Sequence, residues 1–184
     1  MTRKRTELIR GLARALVDHP GATYQDLAPH AGISRRTLYR VAASREALLD
    51  LLRQEAHLAT ARALDAAGLA DGDPQQVLAA LTLDFLEDAA LYSFWIEEGA
   101  PRPRPGQMPP ADPVMDDYRA RMIGFFRRGQ ATGAFRDDLG ADWLLRTYDA
   151  LLMAAGTLSQ ESSADPSSLR RLVMASFIAG AGRG

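Results

Sequence analysis

The sequence predicts an all-α protein with an N-terminal three-helix helix-turn-helix domain and a C-terminal helical domain. Two observations predict this architecture. Apolar side chains recur every three or four residues in segment after segment, which is the spacing of one face of an amphipathic helix. Residues 23–45 contain two short predicted helices around a glycine turn. We place the domain boundary after residue 45, so that the first domain comprises residues 1–45 and the second comprises residues 46–184.

Charge is distributed unevenly along the chain. Residues 1–53 carry ten Lys or Arg against five Asp or Glu, a formal charge of +5, and the remaining residues carry 12 basic and 18 acidic side chains, a charge of −6. Phosphates attract a basic domain, so this asymmetry is typical of a nucleic-acid-binding domain joined to an acidic module with another role.

The first helix is predicted over residues 2–17, where Leu8, Leu12 and Leu16 form an apolar stripe that can close a three-helix core. Three basic residues at positions 3–5 precede this stripe. We expect them to form an arm that is either disordered in solvent or in contact with a DNA backbone or minor groove.

Capping and glycine chemistry predict the second helix and the turn after it. Thr23 is expected to cap a helix whose first turn carries Asp26, near the positive end of the helix dipole. Gly32 allows the positive φ angle that ends this helix and reverses the chain. Pro29 removes one backbone hydrogen bond, so the helix is expected to kink or to end early.

The third helix is predicted to start at its cap, Ser34, and to have two different faces. Leu38, Val41 and Ala42 lie on the inner face. At 100° per residue, four side chains fall within an outer arc of roughly 140°: Arg35, Arg36, Tyr39 and Arg40. A basic helix that follows a short glycine turn indicates a helix-turn-helix motif, in which the second helix enters the major groove of DNA. For a short basic helix taken alone, a solvated surface is the alternative interpretation.

At these residues the chain resembles the TetR family of bacterial transcriptional regulators. The similarity lies in the alanine–glycine turn, in residues 33–40 (ISRRTLYR) and in residues 44–48 (SREAL), which start a fourth helix. The family usually has an aromatic residue where this chain has Ala42. The resemblance implies a homodimer that binds DNA and carries a C-terminal domain that diverges with its ligand.

The predicted DNA contacts lie in the motif and at the start of the fourth helix, which runs from its cap Ser44 toward Gly68. Arg35 and Arg36 are the candidates for contacts with base edges. Arg45, at the helix N-terminus, is well placed to meet a phosphate. The remaining predicted DNA-binding residues are Thr23, Ser34, Thr37, Tyr39 and Arg40.

Further helices are predicted in the second domain. One starts at Asp73-Pro74, residues 91–99 are rich in aromatic side chains, and residues 112–129 form another helix that ends in 129–133. Between them, residues 100–113 include six prolines and cannot form a regular helix. We expect this segment to be a loop, with a lid over a ligand site as the alternative.

The last two predicted helices, over residues 142–158 and 169–181, carry long uncharged stretches. A helix that is apolar all round must be covered on every side, and a chain of this size has too few other helices to do so. We therefore expect a homodimer through these two helices, with two recognition helices about 34 Å apart on a palindromic operator.

Large apolar side chains of the second domain predict a small-molecule pocket, with ordinary core packing as the alternative for each of them. The candidates are His57, Phe85, Phe94, Trp95, Tyr118, Met122, Phe125, Trp143 and Tyr148. The three histidines are far apart and the acidic pairs are adjacent, so no catalytic or metal-ligating pattern is present and no cofactor is expected.

These observations together predict a cytoplasmic regulator, without signal peptide or membrane span, that binds double-stranded operator DNA as a homodimer. We expect repression that a small-molecule effector relieves. Two other classes stay open: a dimeric small-molecule-binding protein that keeps the helix-turn-helix as scaffold, and a helical enzyme that uses the aromatic cavity.

Overall fold

The structure, a computed structural model, describes residues 3–96, 112–162 and 164–182. Within these ranges the chain forms helices joined by turns, with a single isolated bridge between Phe135 and Gly182, which confirms the all-α prediction. The helices are α1 (Arg3–Asp18), α2 (Leu27–His30), α3 (Arg35–Val41), α4 (Arg45–Ala66), α5 (Pro74–Glu87), α6 (Ala89–Phe94), α7 (Pro113–Ala131), α8 (Ala141–Ser162) and α9 (Pro166–Ala181).

Three helices start with the same dipeptide, an aspartate at the cap position followed by a proline. Asp73 accepts a hydrogen bond from the backbone N–H of Gln76 at 2.9 Å, before Pro74 opens α5. Asp112 and Asp165 cap α7 and α9 in the same way. The carboxylate satisfies a free N–H group, and proline suits the first helical position because it has no N–H to satisfy.

The basic residues at positions 3–5 belong to helix α1, so the predicted disordered arm is not present, and the alternative contact with DNA stays a prediction. Helix α1 begins at Arg3, and the Arg3 side chain pairs with Glu7 one turn later at 3.0 Å. Arg5 lies 2.8 Å from Glu55 of α4, whose side chain is only 7% exposed. A buried carboxylate needs a partner, and this one fixes the start of α1 to α4.

The second helix is shorter than predicted, and Thr23 does not cap it. Helix α2 begins at Leu27, with Asp26 at the cap position but without a side-chain capping bond. The Thr23 hydroxyl instead donates a hydrogen bond to the Asp26 carboxylate. The helix ends at His30, one residue after Pro29, in agreement with the expected early end.

The chain divides into two compact units. Unit 1 comprises Met1–Ala59 and Ala90–Ala111, and unit 2 comprises Thr60–Ala89 and Asp112–Gly184. The core of unit 1 is mostly aliphatic around the motif, with buried side chains from each of its first four helices: Leu12 and Leu16 of α1, Leu27 of α2, Leu38 of α3, and Leu48 and Leu52 of α4. Phe94 and Trp95 are also buried in this unit.

The core of unit 2 is aromatic. The Phe126 ring of α7 lies 5.5 Å from the ring of Phe135, 5.6 Å from that of Phe177 and 6.3 Å from that of Tyr148, measured between centroids. All four side chains are fully buried. Two of these contacts are edge-to-face and that with Phe177 is tilted, and aromatic contacts at these separations add to the free energy gained from burial.

Two glycines of α7 have opposite surroundings. A Cβ atom built on Gly129 would lie 2.3 Å from the Phe135 ring, whereas one built on Gly124 would meet no atom within 4 Å. The ring of Phe135 therefore occupies the space that a side chain at position 129 would need.

The last two helices leave several large apolar side chains in solvent. Trp143 and Leu158 of α8 are 59% and 44% exposed, and Leu172 of α9 is 58% exposed. Most of the predicted loop or lid, at positions 100–113, lies outside the described residues. No helix in the part of the chain that the structure describes is long and apolar enough to cross a bilayer.

Candidate nucleic-acid interface

The turn between α2 and α3 is closed by backbone hydrogen bonds. The N–H of Ile33 donates to the carbonyl of Ala28 at 2.9 Å, and the N–H of Gly32 donates to that of Pro29 at 3.0 Å. Gly32 has a φ angle of +66°, in the left-handed region that a glycine adopts without steric cost. The predicted glycine turn is therefore present, and it sets the direction of α3.

Helix α3 starts at a side-chain cap. Ser34 has extended backbone angles, and its Oγ accepts a hydrogen bond from the Thr37 N–H at 3.1 Å. The two hydroxyl oxygens of Ser34 and Thr37 lie 2.9 Å apart. Leu38 is fully buried and anchors the inner face of the helix. Both the predicted cap and the predicted inner face are present.

The outer face of α3 is basic and open to solvent. Arg35, Arg36 and Arg40 are exposed, and none of the three forms an ion pair with another described residue. Tyr39 is 46% exposed and lies beside them. Guanidinium groups without a carboxylate partner remain available for phosphates and base edges.

Arg45 holds the loop between α1 and α2. Its guanidinium donates hydrogen bonds to the backbone carbonyls of Ala22 at 2.7 Å and Pro20 at 3.3 Å. Ser44 caps α4, since its Oγ accepts from the Ala47 N–H at 3.2 Å. The structure thus gives Arg45 an internal contact that the sequence did not indicate, at the helix N-terminus where we expect a phosphate.

The site also includes Tyr24 and Gln25, which follow Thr23 and were not predicted from the sequence. The Tyr24 hydroxyl donates to the carbonyl of Ala42 at 2.5 Å, and its ring meets the Tyr39 ring edge-to-face at 5.3 Å. The Gln25 amide is 3.5 Å from the Tyr39 hydroxyl. The available sequence signal for this contact was Tyr24 itself, an aromatic residue in a polar segment just before a short helix.

His19 and His30 stack on each other beside the motif. Their ring centroids lie 3.6 Å apart with an angle of 27° between the rings. The nitrogen lone pairs of stacked rings lie in nearly parallel planes, so they are poorly placed to converge on one metal ion. No group of three or more potential metal ligands was found among the described side chains.

The predicted pocket residues are distributed over both units. His57, Phe94 and Trp95 belong to unit 1, where the His57 and Trp95 rings meet edge-to-face at 5.4 Å. The other six belong to unit 2, and five of them are buried: Phe85, Tyr118, Met122, Phe125 and Tyr148. Trp143 lies on the surface and lines no interior space, because its helix turns that side toward solvent.

Hydrogen bonds satisfy the polar ends of the buried tyrosines in unit 2. The Tyr148 hydroxyl lies 3.0 Å from that of Thr82, and the Tyr118 hydroxyl donates to the Asp149 carboxylate at 2.5 Å. Burial raises the pKa of Tyr148 far above its ordinary value, although the hydrogen bond with Thr82 opposes this shift. Both tyrosines are thus satisfied within the core.

An open groove of about 550 Å³ lies in unit 2 between the end of α4, the turn after it and α7. Phe125 is the member of the predicted pocket set that lines it. Arg128 stands over the Phe125 ring at 5.6 Å and donates hydrogen bonds to the carbonyls of Leu69 and Gly72. Asp65 and Arg121 form an ion pair at 2.8 Å along the edge.

Comparisons with solved structures agree with the fold of this chain. No protein-family model matches the chain. The TetR-like regulator LfrR from Mycobacterium smegmatis, in its structure with proflavine, superimposes with a TM-score of 0.63 at 21% identity, over 98% of each chain. A probable transcriptional regulatory protein, RHA5900, gives a TM-score of 0.72 at 18% identity, over 96% of this chain and 97% of that one.

A relative with higher identity decides the family. The HTH-type transcriptional regulator NfxB from Pseudomonas aeruginosa is 32% identical over 136 residues, which cover 73% of this chain and 71% of NfxB. The chain belongs to the TetR family of transcriptional regulators. Its fold and helix-turn-helix motif are those of the TetR family, and the relatives compared are regulators, not enzymes.

Proposed function

We propose that this TetR-family regulator is a homodimeric repressor that leaves a palindromic operator when a small molecule binds. The observation that carries the proposal is the outer face of α3, where Arg35, Arg36 and Arg40 are exposed and without an ionic partner among the described residues. Leu38, on the inner face, fixes this helix to the core. A helix held in this way can enter the major groove with its basic face toward the bases.

Individual roles follow from position on α3. Arg35 and Arg36 stand at the helix N-terminus, which in this motif is the end that contacts base edges. Tyr39 and Arg40, one turn later, would contact phosphates, together with Ser34 and Thr37 at the cap. Thr23 and Arg45 border the same surface. Arg45 would contact a phosphate through guanidinium N–H groups that do not bond to the carbonyls of Pro20 and Ala22.

The exposed apolar residues of α8 and α9 support a dimer. Trp143, Leu158 and Leu172 would be costly to leave in solvent as a group, and a second copy of the same surface would cover them. Twofold symmetry would place two α3 helices about 34 Å apart, one turn of DNA. Mass measurement by light scattering tests this step, since Leu172→Asp should yield a monomer.

The groove in unit 2 is the effector site that we propose. It has an apolar wall at Phe125, charged groups at Asp65 and Arg121, and a volume within the range of small-molecule sites. LfrR binds proflavine, a planar ligand, so proflavine is a suitable first probe. Gly124→Leu would fill the groove, because nothing lies within 4 Å of a Cβ at that position. This variant should keep operator binding and lose the response to a ligand of the groove.

The test of the main proposal is selection from random duplex DNA, with sequencing of the bound pool and measurement of affinity at two salt concentrations. A repressor should enrich a palindrome and lose affinity as salt rises, since neutralised phosphates release counterions. Absent or salt-insensitive binding would instead favour a small-molecule-binding protein that keeps the motif as scaffold.

A further inference from the structure

The C-terminal end of α3 poses a structural problem that its own residues do not solve. The last carbonyl groups of a helix have no partner within the helix, and a buried carbonyl needs a donor. Ala42 occupies the cap position after Val41 in an extended conformation and is only 6% exposed. Its methyl side chain offers neither a hydrogen-bond donor nor an aromatic surface that could hold the helix end in place.

Tyr24, in a distant part of the motif, supplies both the hydrogen-bond donor and the aromatic surface. Its hydroxyl donates to the Ala42 carbonyl at 2.5 Å, across 18 residues of sequence. Its ring packs edge-to-face against Tyr39, on the last turn of α3, with 5.3 Å between centroids. The Tyr24 side chain is half-buried, so these contacts are made in a partly desolvated position, where a hydrogen bond counts for more than in water.

The ionisation state of Tyr24 suits this contact. Burial, and to a smaller extent the neighbouring Tyr39, raise the pKa of Tyr24 above its ordinary value of 10.0. The hydroxyl therefore keeps its proton at neutral pH and remains a donor.

We propose that Tyr24 is a positioning residue for DNA recognition, which fixes the end of α3 that Ala42 leaves without a side-chain anchor. This inference rests on the proposed function of α3 as the recognition helix. Tyr24 touches no base in this scheme. It acts through α3, because a helix of seven residues held at both ends presents Arg35, Arg36 and Arg40 in one orientation.

The two classes of DNA binding should respond differently to loss of the Tyr24 hydroxyl. Binding to random DNA depends on charge, and every arginine of α3 remains. Binding to the operator depends on the positions of the α3 side chains. A frayed end of α3 must become ordered before the helix can bind the operator, and this lowers the observed affinity. If Tyr24 positions α3, its loss lowers the ratio of operator affinity to random-DNA affinity. General destabilisation leaves this ratio unchanged, because it lowers either both affinities or neither.

The experiment compares the full-length protein with Tyr24→Phe, which keeps the ring and removes the hydroxyl. Tyr92→Phe is the control, since Tyr92 is a buried tyrosine of the same unit, on α6. Operator affinity should fall about threefold to tenfold in Tyr24→Phe, the value of one hydrogen bond, with random-DNA affinity nearly unchanged and the melting temperature lowered by no more than about 4 °C. Amide hydrogen exchange at Val41 and Ala42 should accelerate by a similar factor in Tyr24→Phe and stay unchanged in the control.

Each other outcome has a definite meaning. Unchanged operator affinity and unchanged exchange in Tyr24→Phe would overturn the positioning role and leave the proposed function intact. An equal loss on both DNA classes with a lower melting temperature would also overturn it, because it shows only destabilisation. If the wild-type protein selects no operator, the proposed function fails, and the exchange measurement still decides whether Tyr24 holds the end of α3.

Discussion

The recognition helix of unit 1 and the aromatic core of unit 2 are held by different kinds of contact. Single hydroxyl groups hold both ends of α3, that of Ser34 at the start and that of Tyr24 at the end. Phe126 and the three buried aromatic rings around it hold unit 2 together. A hydrogen bond fixes the orientation of the groups it joins but contributes little net free energy of folding. A buried aromatic ring contributes several times more free energy but does not orient any particular polar group. Substitutions in the two regions should therefore affect different properties.

The largest effect is expected in the aromatic core. Phe126→Ala should lower the free energy of unfolding by about 3–5 kcal/mol, because it removes a buried ring and leaves a cavity between three others. Denaturant unfolding followed by circular dichroism measures this. The fraction that remains folded should keep its operator preference, since Phe126 has no part in α3. A cost below about 1 kcal/mol would show that the core is loosely packed.

The two glycines of α7 test packing on one helix with a matched pair. Gly129→Ala should destabilise the protein by about 1–3 kcal/mol, since its Cβ would overlap the Phe135 ring. Gly124→Ala should stabilise it by about 0.5–1 kcal/mol, because the space is open and alanine is the better helix former. Equal melting temperatures for the two variants would contradict the placement of Phe135.

In the motif, two arginines should differ in what they recognise. Arg36→Ala should cost about 1–3 kcal/mol on the operator and relax the preference at one base position, if it contacts a base edge. Arg45→Ala should weaken binding to all sequences alike and should also lower the melting temperature, because the loop carbonyls of Pro20 and Ala22 lose their donor. Profiles from selected DNA pools compare the two. Identical profiles would contradict these roles.

The smallest effect concerns the polar contact inside the aromatic core. The folded protein keeps Tyr148 protonated, since burial raises its pKa above the ordinary value of 10.0. The stability that this provides is complete below pH 10.0 and is lost as pH rises further, because the unfolded state alone releases the proton.

Tyr148→Phe cannot lose a proton. It should be less stable by about 1 kcal/mol at pH 8, through loss of the hydrogen bond with Thr82, and this difference should shrink above pH 10. Urea unfolding at a series of pH values measures both. If the free energies of unfolding of the two proteins change in parallel above pH 10, ionisation of Tyr148 does not cause the loss of stability at alkaline pH.

Local chemistry made much of the fold predictable from sequence. The caps at Ser34 and Ser44 and the Asp-Pro start of α5 depend on neighbouring residues, so their signals are complete within a few positions. The positive φ angle of Gly32 is a similar case. The basic face of α3 was predictable for the same reason, because helical periodicity assigns each residue to a face.

Contacts between distant residues were not predictable in this way. Nothing near Arg5 in the sequence indicates that it pairs with Glu55, and so a disordered arm was one of the two expectations for residues 3–5. The Tyr24 contact with Ala42 and the Arg45 contact with the loop depend on how α2, α3 and α4 pack. Trp143 was predicted to line a pocket because it is aromatic and at helical spacing, yet it faces solvent, since spacing alone does not decide which helix face is covered.

The contact between Gly129 and Phe135 also has an evolutionary consequence. The two positions share one volume, so a larger residue can be accepted at 129 only if a smaller one appears at 135. Each change alone passes through a destabilised protein, either by steric overlap or by an empty space. Substitutions at these two sites should therefore appear together in descendants of this sequence, and a lineage that has exchanged the pair should rarely return.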